Sequence, residues 1–302
     1  MRYFVVDAFT GEAFGGNPAG VVLLGEGGAF PSDRLMQLVA AELRYSETAF
    51  VRQDGPTEFT VRYFTPAGEV DLCGHATIAT FGVLRHEGIL SDGAVCMNHT
   101  LAGDLEVSIG QQVMMQMAAP QVIEKHVDAE VLYRIMTGAR IPSSTPSLFG
   151  NSLQTGVEAP LCHSSLPIEV ISTGLPDIIM PVADVEALNG LRPDMVALSR
   201  LSCELDVVGV HAFALTEDGH TAHVRNFAPR YDIPEESATG TANGALTHYL
   251  HRHGLIPCPS ECHFLQGEAM GRPSVVTTAL DKDGSIRVGG QSRIVAIGDL
   301  LV

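Results

Sequence analysis

Short runs of β-branched and aromatic residues, separated by Gly, Pro and Asp clusters, recur through the first part of the chain. Val5 to Phe9, Val21 to Leu24, Thr48 to Val51 and Phe59 to Phe64 are such runs, and they predict strands. Between them the period changes. In PSDRLMQLVAAEL, Leu35, Leu38, Val39 and Leu43 fall on one helical face behind a Ser32/Asp33 cap. VDAEVLYRIMTG and ADVEALNG predict further short helices, each stopped by a Gly just past its end. Many strands with few, scattered helices indicate an α+β fold rather than strict βαβ alternation.

Two stretches repeat one pattern. Residues 64–88 read FTPAGEVDLCGHATIATFGVLRHEG and residues 227–254 read FAPRYDIPEESATGTANGALTHYLHRHG, three residues longer. Each runs strand, Pro turn, acidic loop, small Gly-containing turn, Ala-rich helix, basic or His-rich turn and Gly. The repeat predicts two similar halves, 1–122 and 123–290, with the last strand (about 291–302) able to rejoin the first. In both copies the turn opens a helix, where unpaired N–H groups and the positive dipole end attract anions. A single Gly turn is explained by backbone geometry alone. A facing pair is better explained as a seat for a small carboxylate. Gly74 aligns with Gly240, which sets Cys73 opposite Thr239 and His75 opposite Thr241.

Composition narrows the function. The chain has 302 residues, 45% of them hydrophobic, and a formal net charge of -17 that repels phosphate backbones and anionic membranes. No apolar stretch is long enough to span a bilayer, and the N-terminal residues read as a strand rather than a signal segment. Six cysteines without a secretory signal suggest reduced thiols and a cytoplasmic location. The Gly25–Gly28 stretch leads to Pro31 instead of a phosphate-binding helix, which excludes a dinucleotide fingerprint. Cys258, Cys262 and His263 are too few for a zinc site, and His248, His251 and His253 suit a helix C-terminus. A Cys73–His75 nucleophilic pair has no evident orienting acid in the sequence.

Five ordered stretches, VVDAFT…GGNPAGVVL, YSETAFV, FTPAGEVDLCGHATIAT, EESATGTANG and LQGEAMGRPS, resemble the PhzF-like family of phenazine-biosynthesis isomerases and their relatives. The resemblance implies a diaminopimelate-epimerase-like fold: two similar α+β halves, each a curved sheet or barrel around a central helix, with the site between them. It implies no metal and no flavin, nicotinamide or pyridoxal cofactor. It carries the catalytic carboxylate onto Glu47, and the Gly-His pair and second acid onto Gly74, His75 and Glu236. Ser46, Gly240 and Thr241 match substrate-contacting positions, with Cys73 and Thr239 beside them. Glu236 stands where the phenazine enzyme has Asp, and Thr241 where it has Ser. The longer acid reaches roughly 1.5 Å further, which turns the expectation away from the phenazine precursor itself.

Cofactor-free proton abstraction from carbon needs a base in a dry site and a stabiliser for the developing charge. Glu47, its pKa expected to be raised by burial, would take a proton from one carbon and return it to another on the same face. His75 and Glu236 would orient substituents, and the Gly74–His75 and Gly240–Thr241 N–H groups would hold the substrate carboxylate. Sister racemases use two facing cysteines, whereas here only Cys73 is a thiol. A two-base racemase is therefore the second reading, and a non-catalytic metabolite-binding protein the third. A homodimer is expected.

Overall fold

The computed structural model describes residues 1–138 and 165–302. β1 (Arg2–Ala8) and β2 (Asn17–Glu26) pair antiparallel, and α1 (Asp33–Leu43) crosses to β3 (Thr48–Gln53), parallel to β2. β4 (Glu58–Phe64) and the short β5 (Glu69–Val70) turn back from it. α2 (Gly74–His86) then leads to β6 (Val95–Thr100), parallel to β4, followed by antiparallel β7 (Gly103–Ile109) and β8 (Val113–Gln116). Both parallel connections run through a helix, because parallel strands need a crossover that a hairpin cannot supply.

The second half repeats this order strand for strand. After β9 (Gln121–Ile123) and α3 (Ala129–Thr137), β10 (Glu169–Ser172) and β11 (Pro176–Pro181) pair antiparallel. α4 (Val185–Gly190) and α5 (Met195–Glu204) cross to β12 (Val210–Leu215), parallel to β11. β13 (Ala222–Ala228) and β14 (Ile233–Glu236) turn back. α6 (Gly240–Arg252) crosses to β15 (Ser260–Gln266), parallel to β13, and β16 (Ser274–Leu280) and β17 (Ile286–Gly290) follow.

The halves are stitched by exchange. β9 leaves the first half to pair with β10, and β18 (Ser292–Asp299) leaves the second to pair with β1. With β17 joined to β8, all the strands form one continuous sheet. α2 and α6 are buried around most of their circumference, which is why neither shows a clean amphipathic stripe. Each packs an aromatic ring edge-on: Phe59 with Phe81 at 5.6 Å and Phe213 with Tyr249 at 5.5 Å. Gly82 allows α2 to lie directly on β18, since a Cβ there would collide with Ser292. Both copies close on a glycine in the left-handed region, Gly88 at φ 73° and Gly254 at φ 70°.

Local expectations met exceptions. α1 starts at its Ser32 cap but buries Met36, Val39 and Ala40, leaving Leu38 55% exposed. The face against the sheet is thus rotated one position from the leucine stripe. α3 ends on Gly138 at φ 67°, as its sequence predicts, whereas Gly190 lies inside α4, which is capped by Leu191. β1 stops at Ala8 because Phe9 turns to φ 63°. No helix among the described residues is long and apolar enough to cross a membrane.

Candidate active site

α2 and α6 begin in the same way. Cys73 (φ −140°, ψ 117°) and Thr239 (φ −129°, ψ 105°) are extended N-caps, and neither side chain bonds to its own first turn. One turn on, Thr77 Oγ1 donates to Cys73 O at 2.7 Å and Asn243 Nδ2 to Thr239 O at 2.9 Å, fixing both turns alike. Asn17, at the start of β2, ties the two ends together. Its Nδ2 donates to Glu236 Oε1 and Ala238 O, both at 3.1 Å, and lies 3.3 Å from His75 Nδ1. The starts of the two helices are therefore drawn together around one amide, each with the unpaired N–H groups of a helix N-terminus.

Glu47 joins these residues from the end of β3, where Gly20 N donates to its carbonyl at 3.1 Å. His75 Nε2 lies 3.1 Å from Glu47 Oε2 and 3.2 Å from Ser46 Oγ. The approach to Glu47 is off-line: Oε2 is buried and accepts no hydrogen bond of good geometry, so the contact is electrostatic. On the ring's other side Cys73 Sγ is 3.4 Å from Nδ1, and Glu236 Oε1 is 3.9 Å away. The two Asn17 amide hydrogens are already committed to oxygens, and Cys73 Sγ lies 3.8 Å from Nε2 as well.

The charges sort themselves unequally. Burial disfavours a charged His75, but Cys73 and Glu47 raise its pKa well above the usual value. Burial likewise pushes the Cys73 thiol up, reinforced by Glu47, to about 11, so the attraction felt by the ring near neutrality comes from Glu47. For Glu47 itself, burial pushes upward, but the His75 charge, with the polar side chains of Ser46 and Cys73 close by, outweighs it and holds the carboxyl below its ordinary range. This reverses the expectation that Glu47 is the raised acid. The raised carboxyl is Glu236, through burial first and the nearby Glu47 charge as well, against the pull of His75.

Among the predicted residues, Ser46, Glu47, Cys73 and His75 meet directly, and Glu236 joins them through Asn17 and its approach to His75. Thr239 Oγ1 donates to Glu236 Oε2 at 2.9 Å. Gly74, Gly240 and Thr241 contribute helix-end backbone, and the Thr241 carbonyl is taken by Thr173 Oγ1 at 2.8 Å. The acids that Cys73–His75 lacked in the sequence are present in space. Asn17 and Gln266 were not foreseen, although both lie in stretches that carry the resemblance. Gln266 donates to Glu236 O at 2.8 Å and Thr239 Oγ1 at 3.1 Å.

Ligand-type atoms of Glu47, Cys73 and His75 lie within 4.8 Å of one another. Asp218, His220 and His223 form a second, more exposed group. Cys258 is exposed and donates to Asp281 O at 3.3 Å, and Cys262 is buried. His253 pairs with Glu169 at 3.2 Å beside the C-terminus of α6.

A family model described as phenazine biosynthesis-like protein (PhzC-PhzF) matches residues 6–298. An uncharacterized isomerase of Deinococcus radiodurans is 34% identical over 301 residues, covering 96% of this chain and 91% of that one. The trans-2,3-dihydro-3-hydroxyanthranilate isomerase of Pseudomonas aeruginosa is 31% identical over 280 residues, covering 90% and 88%. The crystal structure of a Bacillus anthracis phenazine biosynthesis protein of the PhzF family superposes with a TM-score of 0.84 at 27% identity, over 100% of this chain and 99% of that one.

Proposed function

The chain belongs to the phenazine biosynthesis-like family and is a small-molecule isomerase; from that premise we propose that it moves a proton between two carbons of a carboxylate-bearing metabolite, with Glu47 as the single base. The observation that carries this reading is Glu47 Oε2, buried and without a directed hydrogen bond, beside a ring that keeps it ionised. A base in that state needs no prior deprotonation and loses little solvation when substrate arrives.

The substrate carboxylate sits on the free N–H groups at the starts of α2 and α6. Glu47 takes a proton from one carbon, the C–H electron pair moves into the substrate's conjugated system, and the double bond shifts. Glu47 then returns the proton to another carbon on the same face. Atoms and electrons balance without an oxidant or reductant. His75 stabilises negative charge that develops close to it. Glu236, which holds its proton to higher pH than an ordinary carboxyl, orients a hydroxyl or amino substituent.

A two-base racemase would need a second base opposite Cys73. That position is Thr239, whose hydroxyl is spent on Glu236, and the thiol itself is pushed up to about 11. The one-base reading is therefore preferred. Its test is incubation in deuterated water with trans-2,3-dihydro-3-hydroxyanthranilate and a panel of small amino, hydroxy and cyclic carboxylates. Isomerisation with deuterium entering the carbon that receives the proton is the expected outcome. Exchange at a single stereocentre, with inversion, would favour the racemase.

A further inference from the structure

The start of β13, away from the Asn226–Glu236 pairing near its end, carries a cluster of ligand-type side chains that the reaction does not use. Asp218 and His220 come from the connection between β12 and β13, and His223 from β13 itself. Their donor atoms lie within 4.8 Å of one another. We propose that these three residues bind a divalent transition-metal ion of the zinc class, with Glu268 orienting His223 from behind.

Asp218 stands between the two imidazoles. Its Oδ2 is 2.7 Å from His223 Nε2, and its Oδ1 is 3.1 Å from His220 Nδ1. Tetrahedral zinc, with bonds of about 2.0–2.1 Å, sets neighbouring donors about 3.3 Å apart, so these contacts need to open by only a few tenths of an ångström. Asp218 and His220 are partly exposed and free to make that adjustment. The backbone keeps the spacing. His220 N donates to Asp218 Oδ1 at 3.1 Å. Thr221, between the histidines, is fixed to β15, its N–H donating to His263 O at 2.8 Å and its Oγ1 accepting from His263 N at 3.0 Å.

Glu268 reaches the cluster from a different element, the single helical turn Glu268–Met270 after β15. Its Oε2 is 2.7 Å from His223 Nδ1, the ring nitrogen that faces away from Asp218. His223 is only 7% exposed, and Nδ1 is closed to water without an in-line hydrogen bond. A metal-bound histidine turns its other N–H on a carboxylate, which fixes the tautomer and makes the ring a better donor. Ligation at Nε2 puts the ring proton on Nδ1 and gives it Glu268 as that acceptor. The ion takes the place of the proton between Nε2 and Asp218, and any proton displaced leaves to solvent. Two imidazoles and a carboxylate suit Zn2+, Ni2+ or Cu2+, whereas Ca2+ and Mg2+ take oxygen sets. Three protein donors leave the fourth position to water. The proton transfer proposed above passes through none of these residues, so the ion acts as a brace, tying the β12–β13 connection to the turn that follows Gln266.

The test uses full-length protein without a histidine tag, stripped with a chelator. Zn2+ added in a calorimeter should bind saturably at one ion per chain. Co2+ in its place should give visible d–d bands without the near-ultraviolet thiolate band, which sets the free cysteines aside. His220→Ala and Asp218→Asn should each weaken Zn2+ by at least about tenfold, and Glu268→Gln by about 10–100-fold, the usual weight of an outer carboxylate. In 15N-labelled protein, Zn2+ should leave the His223 ring proton on Nδ1. A folded wild type with no saturable binding would make this an ion-pair cluster only and overturn the proposal. Undiminished affinity in His220→Ala and Asp218→Asn, or a strong thiolate band, would overturn it by placing the ion elsewhere. Unchanged affinity in Glu268→Gln would overturn the orienting role of that residue.

Discussion

Replacing Glu47 by Gln exchanges one carboxylate oxygen for an amide nitrogen and leaves the packed stem in place. The loss in rate follows from the base alone. A positioned general base contributes about 10²–10⁴-fold, or roughly 3–6 kcal/mol at about 1.4 kcal/mol per decade. A second effect is structural, because His75 is 5% exposed and loses its nearest carboxylate. The stability cost should stay near that of one hydrogen bond to a charged group, on the order of 1–3 kcal/mol. The variant should therefore fold, melt a few degrees lower and bind ligand at the helix ends. Deuterium incorporation into product, measured by NMR or mass spectrometry at saturating substrate, should fall by at least two decades. Turnover within a few-fold of wild type, with ligand bound, would take Glu47 out of the mechanism and refute the one-base argument.

Other perturbations probe different parts of the same geometry. Cys73→Ala should keep activity within about tenfold of wild type, as a thiol pushed up to about 11 is a poor base near neutrality; abolished turnover in a folded variant would restore the thiol to the chemistry. His75→Gln removes the charge that does most to hold Glu47 low, so burial meets less opposition and the acidic limb of kcat/KM should move to higher pH. An unmoved limb would mean that Glu47 does not titrate there. Asp177, raised by burial to about 7, keeps its proton in the folded state while the unfolded chain releases it near 3.8. Stability should therefore fall as pH rises between those values, by up to about 4 kcal/mol. Asp177→Asn should flatten that slope in denaturant titrations at several pH values, and an unchanged slope would exclude Asp177 as its source.

What could be read in advance was local. The Gly-containing turns at Gly74 and Gly240 announced two helix starts, and the repeat around them announced two halves, because backbone freedom and helix period leave marks within a few residues. Glu47 was picked out only by the resemblance of its Ser-Glu-Thr stretch, since a Glu before a strand carries no local mark of chemistry. Asn17 and Gln266 escaped because their work is done across the fold, Asn17 with residues more than two hundred positions away. Leu38 misled because period alone fixes the spacing of a helical face but not its rotation against the sheet. The sign of the Glu47 shift was invisible for a deeper reason. Burial and the His75 charge oppose each other, and only the 3.1 Å separation decides between them.

Duplication made the two helix starts alike, and the side chains behind them have made them unequal. In the first half, Asn98 Nδ2 donates to Tyr63 OH at 3.0 Å, Tyr63 OH meets Thr77 Oγ1 at 2.7 Å, and Thr77 donates to the Cys73 carbonyl. That chain ends on backbone and does nothing beyond fixing the turn. In the second half the matching carbonyl, Thr239 O, is held by Asn243, whose amide passes on to Gln266 and through Thr239 Oγ1 to a carboxylate. One copy thus sets an imidazole beside Glu47, and the other ends a run of hydrogen bonds on Glu236. A site that must take a proton and steady a substituent in the same cleft needs carboxylates whose proton affinities are pushed apart. Two copies of one scaffold supply the matching positions, and the neighbours of each supply the difference.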